Sequence, residues 1–330
     1  MHTYPIKSVP LEQIDLNDKT FLITTSERIN ALSESIQELG VMNPPLLIKK
    51  KGLTPGCLFS VVYGFQRIAA CIKLGWDSID SVLADTAMPG LTCVKLAIAD
   101  NIWQRSLNLV ETSRALNLLA PYFQDETSLA EAASTSGLPD NIGLIRKIKS
   151  ICHLSPLIQD GLLAGPLTLP TAIELGNLDK EAGCRLAEIF TALQLSLSKQ
   201  REILTLTHEI VCREGISLAE LVNGNAFKQI LNNDNLDRSQ KTGSLRSYLK
   251  QRRFPAITSA ETAFKANWRK IKSGTGLELI PPPHFEGDVF TLRIQFKTVE
   301  ELLAHNRAIA QISKHPVMKK ILDKIPASSK

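Results

Sequence analysis

The chain has 330 residues, 44% of them hydrophobic, and a formal charge of +5; that length exceeds what one hydrophobic core organises and predicts two or three domains. No stretch reaches the roughly 18 apolar residues of a membrane span, and Met1-His2-Thr3-Tyr4-Pro5 lacks the basic-then-apolar layout of a signal peptide, so a soluble intracellular protein with no membrane partner is expected. The six cysteines are scattered with no CxxC pair, which argues against a zinc site or a disulfide framework.

Residues 1–105 alternate short strands and helices and read as a small α+β domain. Residues 6–16 are extended around Val9-Pro10. Ser26 can cap a helix whose Ile29, Leu32, Ile36 and Leu39 share one stripe, with Gly40 placed to end it. Pro44-Pro45 forces extension into a strand at Leu46-Leu47-Ile48. A strand over 59–63 breaks at Gly64 and restarts as a helix carrying Arg67 in its first turn. That is the layout of an anion pocket: helix N–H groups and dipole, a glycine that lets backbone approach a ligand, and a planar cation for phosphate oxygens. The competing reading is an ordinary strand-to-helix connection with Arg67 in a structural ion pair. Ile68, Cys71, Ile72 and Leu74 give that helix a buried face, stopped by Gly75, and residues 79–83 form a further strand. Asp100-Asn101 supplies oxygen ligands of the kind Mg²⁺ takes beside a phosphate, or a capping pair at a helix bend. Trp103 is expected in the core and Arg105 on the surface.

From residue 91 to 231 the pattern is helical, and residues 106–231 read as an all-α domain. Within 127–154, Ala133 and Gly137 stand four apart, followed by Leu138-Pro139-Asp140 and a helical run through Ile142, Ile145, Ile148 and Cys152. A small residue under a glycine turn between two short helices is the helix-turn-helix layout, shared with any glycine-turned helical hairpin. As a DNA-reading motif it would aim Asn141, Arg146, Lys147 and Lys149 at phosphates or base edges. His208-Glu209-Ile210-Val211-Cys212 looks like a zinc-protease helix without its second histidine and reads as chance on an amphipathic helix.

The asparagine-rich residues 232–241 are the expected linker. Residues 242–330 form a third, small α+β module: a basic helix over 259–271, strands over 277–280 and 289–296, and a terminal helix over 300–312. Phe290, Leu292, Ile294 and Phe296 alternate strictly, giving the second strand one buried face. A module this small is expected to dimerise to complete its core. Residues 241–330 carry 17 Lys/Arg against 7 Asp/Glu, which suits nucleic acid, an acidic partner or a solvated basic face.

The order of these features resembles the ParB family of chromosome and plasmid partition proteins, in the ParB/sulfiredoxin superfamily. Gly40-Val41-Met42-Asn43-Pro44 is similar to the family's Gly-Val-x-x-Pro box, and Gly64-Phe65-Gln66-Arg67-Ile68-Ala69-Ala70 to its phosphate box, Gly-Glu-Arg-Arg-x-x-Ala. Asp100-Asn101-Ile102-Trp103-Gln104-Arg105, with Leu107-Asn108 and Glu111 behind it, resembles the Glu-Asn-x-x-Arg box. The resemblance implies a ParB/sulfiredoxin-like N-terminal domain, a helix-turn-helix middle domain and a CTP-gated clamp on double-stranded DNA. It further implies Mg²⁺, a homodimer, a ParA-type ATPase partner and a cytoplasmic place on nucleoid or plasmid. Carried over by position, Val41, Pro44, Gly64, Gln66, Arg67, Asn101, Gln104 and Arg105 would line the nucleotide site. Asp100 would hold the acidic position linked to slow hydrolysis, and with Asn101 the metal.

The chain departs from the pattern at Phe65 and Gln66, where the family has glutamate and arginine, and at Gln104, which holds the family's arginine position in ungapped alignment with Arg105 one step later, about 100° around a helix. The superfamily's sulfiredoxins place a cysteine at the position of Phe65, so their thiolate chemistry is excluded. Two functions follow: a nucleotide-gated DNA clamp with weak CTPase activity, or a DNA-binding regulator or adaptor with a degenerate nucleotide site and no hydrolysis.

Overall fold

The computed structural model describes residues 4–25, 29–50, 54–271 and 276–322. Ser26, the expected cap, lies outside them. The elements in chain order are β1 (Ile6–Pro10), β2 (Ile14–Asp15), α1 (Ile29–Leu39), β3 (Leu46–Lys49), β4 (Phe59–Tyr63), α2 (Phe65–Lys73), β5 (Ser78–Ala84) and α3 (Gly90–Ile102). There follow α4 (Leu109–Leu119), α5 (Glu126–Thr135), α6 (Ile142–Lys149), α7 (Pro156–Leu163), α8 (Leu169–Gly176) and α9 (Lys180–Leu193). The remainder is α10 (Leu197–Glu214), α11 (Leu218–Val222), α12 (Asn225–Leu231), α13 (Arg238–Arg253), α14 (Pro255–Ile271), β6 (Leu277–Ile280), β7 (Thr291–Ile294), α15 (Val299–Lys314) and α16 (Pro316–Leu322). The chain divides into two compact units, Met1–Ala192 and Leu193–Lys330.

The first unit opens on a mixed five-stranded sheet in the order β1-β5-β3-β4-β2. β1 runs antiparallel to β5 and β3 antiparallel to β4, while β3–β5 and β2–β4 are parallel. α1 and α2 pack on one face, where Ile36, Ile68 and Cys71 join Val9, Ile14, Leu47, Val61 and Ile79 in one buried cluster. Successive strand residues point to opposite faces, so Val62, fully buried beside Val61, belongs to the other face, where α3 packs on β4. Ile72 and Leu39, expected on buried stripes, are exposed instead: Ile72 stands one residue, about 100° around the helix, from Cys71, which faces the cluster, and Leu39 is the last residue of α1. Gly40 and Gly75 do end their helices, both at positive φ, the conformation that costs glycine least.

Capping side chains set the next helices. Asn108 and Glu111 form a reciprocal capping box on α4, Asp125 caps α5 and Asn141 caps α6. α5 ends in a Schellman turn, with Leu138 N–H donating to the Ala133 carbonyl and Gly137 N–H to that of Ser134, Gly137 standing at φ +75°. Behind this helix pair, α4 packs on α6. Ser113 Oγ and Asn117 Nδ2 both donate to the Lys149 carbonyl, and Ser113 Oγ accepts from Cys152 N–H.

In the second unit, residues 232–241, expected as a linker, run into α13: Asp237 forms a capping box with Gln240, and α13 packs on both α10 and α12. β6 and β7 pair antiparallel and build a core with Trp268, Ile271, Ile312 and Ile321. Phe290, Leu292 and Ile294 pack against that core as the alternation predicts. Phe296 does not: β7 ends at Ile294, and Phe296 is 51% exposed. The short helix α16 follows the expected terminal helix after a break before Pro316.

Candidate functional site

A cavity of about 440 Å³ opens in the first unit between the α1 C-terminus, the β4–α2 turn, the α3 C-terminus and residues 21–24. Gly64 is the N-cap of α2, at φ +95°, and no side chain caps the helix. A Cβ there would stand 2.6 Å from Pro45 Cβ, so the turn requires glycine twice over, for its backbone angle and for the approach of Pro45. The result is an α2 N-terminus directed at the cavity, whose lining includes Tyr63, Gly64, Phe65, Gln66 and Arg67.

Arg67 and Asp100, thirty-three positions apart, meet there. One guanidinium nitrogen of Arg67 donates to both carboxylate oxygens of Asp100, at 2.7 and 2.8 Å, and the other donates to the Asn43 carbonyl at 2.6 Å. The guanidinium also lies over the Tyr63 ring, 5.7 Å from its centroid. Burial, followed by the Asp100 charge, raises the Tyr63 phenol above its ordinary value. Gln104 Nε2 donates to Asp100 Oδ1 at 3.2 Å. Asn101 is turned inward: its Nδ2 donates to the Ala97 carbonyl and its Oδ1 accepts from Thr24 Oγ1 at 2.8 Å. Arg67 thus lines the cavity and is paired with a carboxylate, the ion pair of the competing reading.

Arg105 borders the cavity, yet its guanidinium is bound bidentately to Glu111, at 2.6 and 2.8 Å. α3 ends at Ile102, so Gln104 and Arg105 lie beyond the helix and their side chains part toward Asp100 and Glu111. Glu111 is fully buried and also accepts from Thr25 N–H, Thr25 Oγ1 and Asn108 N–H. Burial pushes its carboxyl up, but Arg105 and the two backbone N–H groups outweigh that and hold it at about 2. Arg114 donates to the Ile23 and Thr24 carbonyls, so α4 holds residues 23–25, of which Ile23 and Thr24 line the cavity.

Of the other expected site residues, Val41 lines the cavity while Pro44 stands outside its lining; Pro45 is the proline that packs on the glycine turn. Trp103, expected in the core, is 82% exposed beyond the end of α3. Thr24, the Asn43 carbonyl and Arg114 went unseen in the sequence, because nothing in local periodicity marks an irregular segment that crosses a cavity. Glu111 did leave a signal, the Asn-x-x-Glu of a capping box.

Asn141, Arg146, Lys147 and Lys149 lie on or cap α6, apart from this cavity. The Asn141 carboxamide oxygen accepts from Leu144 N–H. Arg146 pairs with Glu126 of α5 through both its Nε, at 2.7 Å, and a terminal nitrogen. Among the described residues no group of three or more His, Cys, Asp or Glu is placed to hold a metal, and no helix is long and apolar enough to cross a membrane. All six cysteines are free thiols, and burial raises Cys71 and Cys93 above the ordinary thiol range.

Residues 1–102 match the family model of the ParB N-terminal domain. Among solved structures, the chain is similar to the C-terminally truncated chromosome-partitioning protein ParB from Caulobacter crescentus complexed with CTP-gamma-S, with 21% identity and a TM-score of 0.26 over 56% of this chain and 98% of that one. The same protein complexed to the centromeric parS site gives 19% identity and a TM-score of 0.33, over 59% and 96%. A pNOB8-like ParB N-domain gives 13% identity and a TM-score of 0.30, over 73% and 94%.

Proposed function

We propose that this chain, a member of the ParB family of partition proteins through its N-terminal domain, is a DNA-binding protein gated by a cytidine nucleotide at the Arg67 cavity. The observation that carries the reading is the convergence of the uncapped α2 N-terminus, Arg67, Asp100 and Asn101 on one cavity. The α2 N–H groups and Arg67 would take phosphate oxygens. The residues present fit Mg²⁺ as a shared ligand: Asp100 and Asn101 give two oxygens, and phosphates and water give the rest, the habit of this ion. A bound Mg²⁺–CTP would supply a cleavable phosphoanhydride and the charge that holds residues 21–24 and α3 together. Cytosine as the base rests on the family resemblance of the three sequence boxes.

On this reading residues 1–105 carry the nucleotide, 106–231 the DNA contact through α6, and 242–330 self-association. A homodimer, a ParA-type ATPase partner and weak CTPase activity with Asp100 as the acidic group belong to the same proposal. One observation favours the second reading, a DNA-binding protein with no hydrolysis. The two described arginines at the cavity, Arg67 and Arg105, are each matched by an internal carboxylate, and Phe65 and Gln66 add no cation. Calorimetry with CTP, ATP and GTP plus Mg²⁺, with and without duplex DNA, separates the two: heat with CTP and product release support the first, binding without turnover the second. No heat with any nucleotide removes the gating.

Arg67→Ala tests the same site. Its side chain is only 14% exposed and its removal strands Asp100, so the variant should lose nucleotide binding and also a few degrees of melting temperature. Circular dichroism on heating checks the second half.

A further inference from the structure

We propose that a second cavity of the first unit, between α7, α8 and α9, is a binding site for a small amphipathic anion, a carboxylate on an apolar body. It shares no lining residue with the Arg67 cavity, and the assignment holds whether or not that cavity takes a nucleotide.

A volume of about 470 Å³ opens where the chain from His153 to Ile158 passes the end of α8 and the start of α9, within the range that small-molecule sites occupy. The lining is graded from apolar to polar. Ile158 and Leu175 are buried, Leu154 and Leu178 half-buried, while His153 and Lys180 are exposed. A ligand that fills this space therefore meets hydrocarbon inside and a cation and an imidazole at the rim, the division that suits a molecule with one apolar and one charged end.

Charge decides the sign of that end. Among the described residues no carboxylate lines this cavity: Asp179 and Glu181, on either side of Lys180, stand outside the lining, and Asp179 is committed to Ala182 N–H at the start of α9. Among the described residues neither Lys180 nor His153 makes an ion pair. The positive end of α7 adds to the effect. Ser155, its N-cap, makes no capping bond and turns its hydroxyl to Cys184, whose Sγ–H donates to it at 3.2 Å. An inorganic anion or a DNA phosphate would use the rim alone and leave Ile158 and Leu175 without a partner. A short chain or ring that carries a carboxylate uses both parts of the site.

Decanoate, used below its micelle-forming concentration, is the probe, and Cys184 is the reporter, because a ligand in the cavity covers its thiol. Alkylation of Cys184 by iodoacetamide is followed by peptide mass spectrometry with the exposed Cys212 as internal reference, and decanoate binding to the full chain is titrated calorimetrically. Decanoate should slow Cys184 alkylation at least about fivefold and leave Cys212 unchanged. Lys180→Glu, shown to be folded by its melting curve, should bind decanoate at least about tenfold more weakly than the wild type, and decanol, which lacks the charge, should lose a similar factor. Absence of saturable decanoate binding overturns the inference. So does a Cys184 rate that decanoate leaves unchanged, or one that it slows equally in Lys180→Glu. If Cys184 does not react even in the free protein, calorimetry decides, and equal affinities for wild type and Lys180→Glu overturn the site. Protection of Cys184 by duplex DNA with none by decanoate overturns it in favour of a DNA contact.

Discussion

Glu111 gathers hydrogen bonds because it is a carboxylate without solvent. Thr25 N–H, Thr25 Oγ1, Asn108 N–H and both arms of Arg105 all donate to it. An unpaired charge at that depth would cost several kcal/mol, so the pattern is what makes the ionised form tolerable. Its carboxyl is held at about 2, below the ordinary value of 4.5. A lowered folded-state value stabilises the fold fully above the unfolded value and loses that contribution as pH falls from about 4.5 toward 2. The span corresponds to about 3 kcal/mol at neutral pH. Glu111→Gln should therefore cost about 2–4 kcal/mol at pH 7 and much less at pH 3, measured by urea unfolding at both. Gly64→Ala should cost about 1–3 kcal/mol at any pH, because φ +95° and the 2.6 Å approach to Pro45 Cβ are steric. An unchanged melting temperature for that variant would show the turn relaxing around the new methyl group.

At the level of elements, what the sequence disclosed and what it hid have physical causes. β3, β4, β6 and the helix after Gly64 are local: proline, glycine and periodicity fix them within a few residues. The strand order β1-β5-β3-β4-β2 depends on pairings far apart in sequence, and no local pattern encodes them. Trp103 was misplaced because an aromatic residue at a helix end gives no sign of whether the chain continues over the core or leaves it. Arg67 was legible as a cation at a helix start, while its bond to Asp100 needed the fold. The same limit applies to α10 and α13. Glu202 pairs with Arg246 and Lys250, Glu209 with Arg253 and Glu214 with Arg252; the step of seven from Glu202 to Glu209 is matched by that from Arg246 to Arg253, a register that only the packing of the two helices reveals. Half-exposed pairs of this kind contribute at most about 1 kcal/mol each and are screened by salt. The triple variant Glu202→Gln, Glu209→Gln, Glu214→Gln should lower stability by roughly 1–2 kcal/mol in dilute buffer and by less in 1 M NaCl. Equal losses at both salt concentrations would assign the effect to packing.

Across the whole molecule, charge has a different distribution from the one that counting suggests. The excess of 17 Lys/Arg over 7 Asp/Glu after residue 240 includes Arg246, Lys250, Arg252 and Arg253, which are answered by glutamates of α10 from earlier in the chain. The field available to DNA is weaker there than the count implies. On α6 the same accounting separates three cations that look alike in sequence. Lys147 is exposed, Lys149 half-buried, and Arg146 is committed to Glu126, a pairing that lowers the Glu126 carboxyl through its hydrogen bond to Arg146. If α6 meets phosphates, Lys147→Ala should weaken duplex binding across all sequences and reduce the slope of log affinity against log salt by about 1. Arg146→Ala should do less, because in the free protein that cation is already neutralised. Glu126→Gln should do the reverse and tighten binding, since it removes a negative charge and releases the guanidinium for the backbone. Fluorescence anisotropy over a salt series measures all three, and a Glu126→Gln variant that binds no tighter than the wild type would take Arg146 out of the DNA contact.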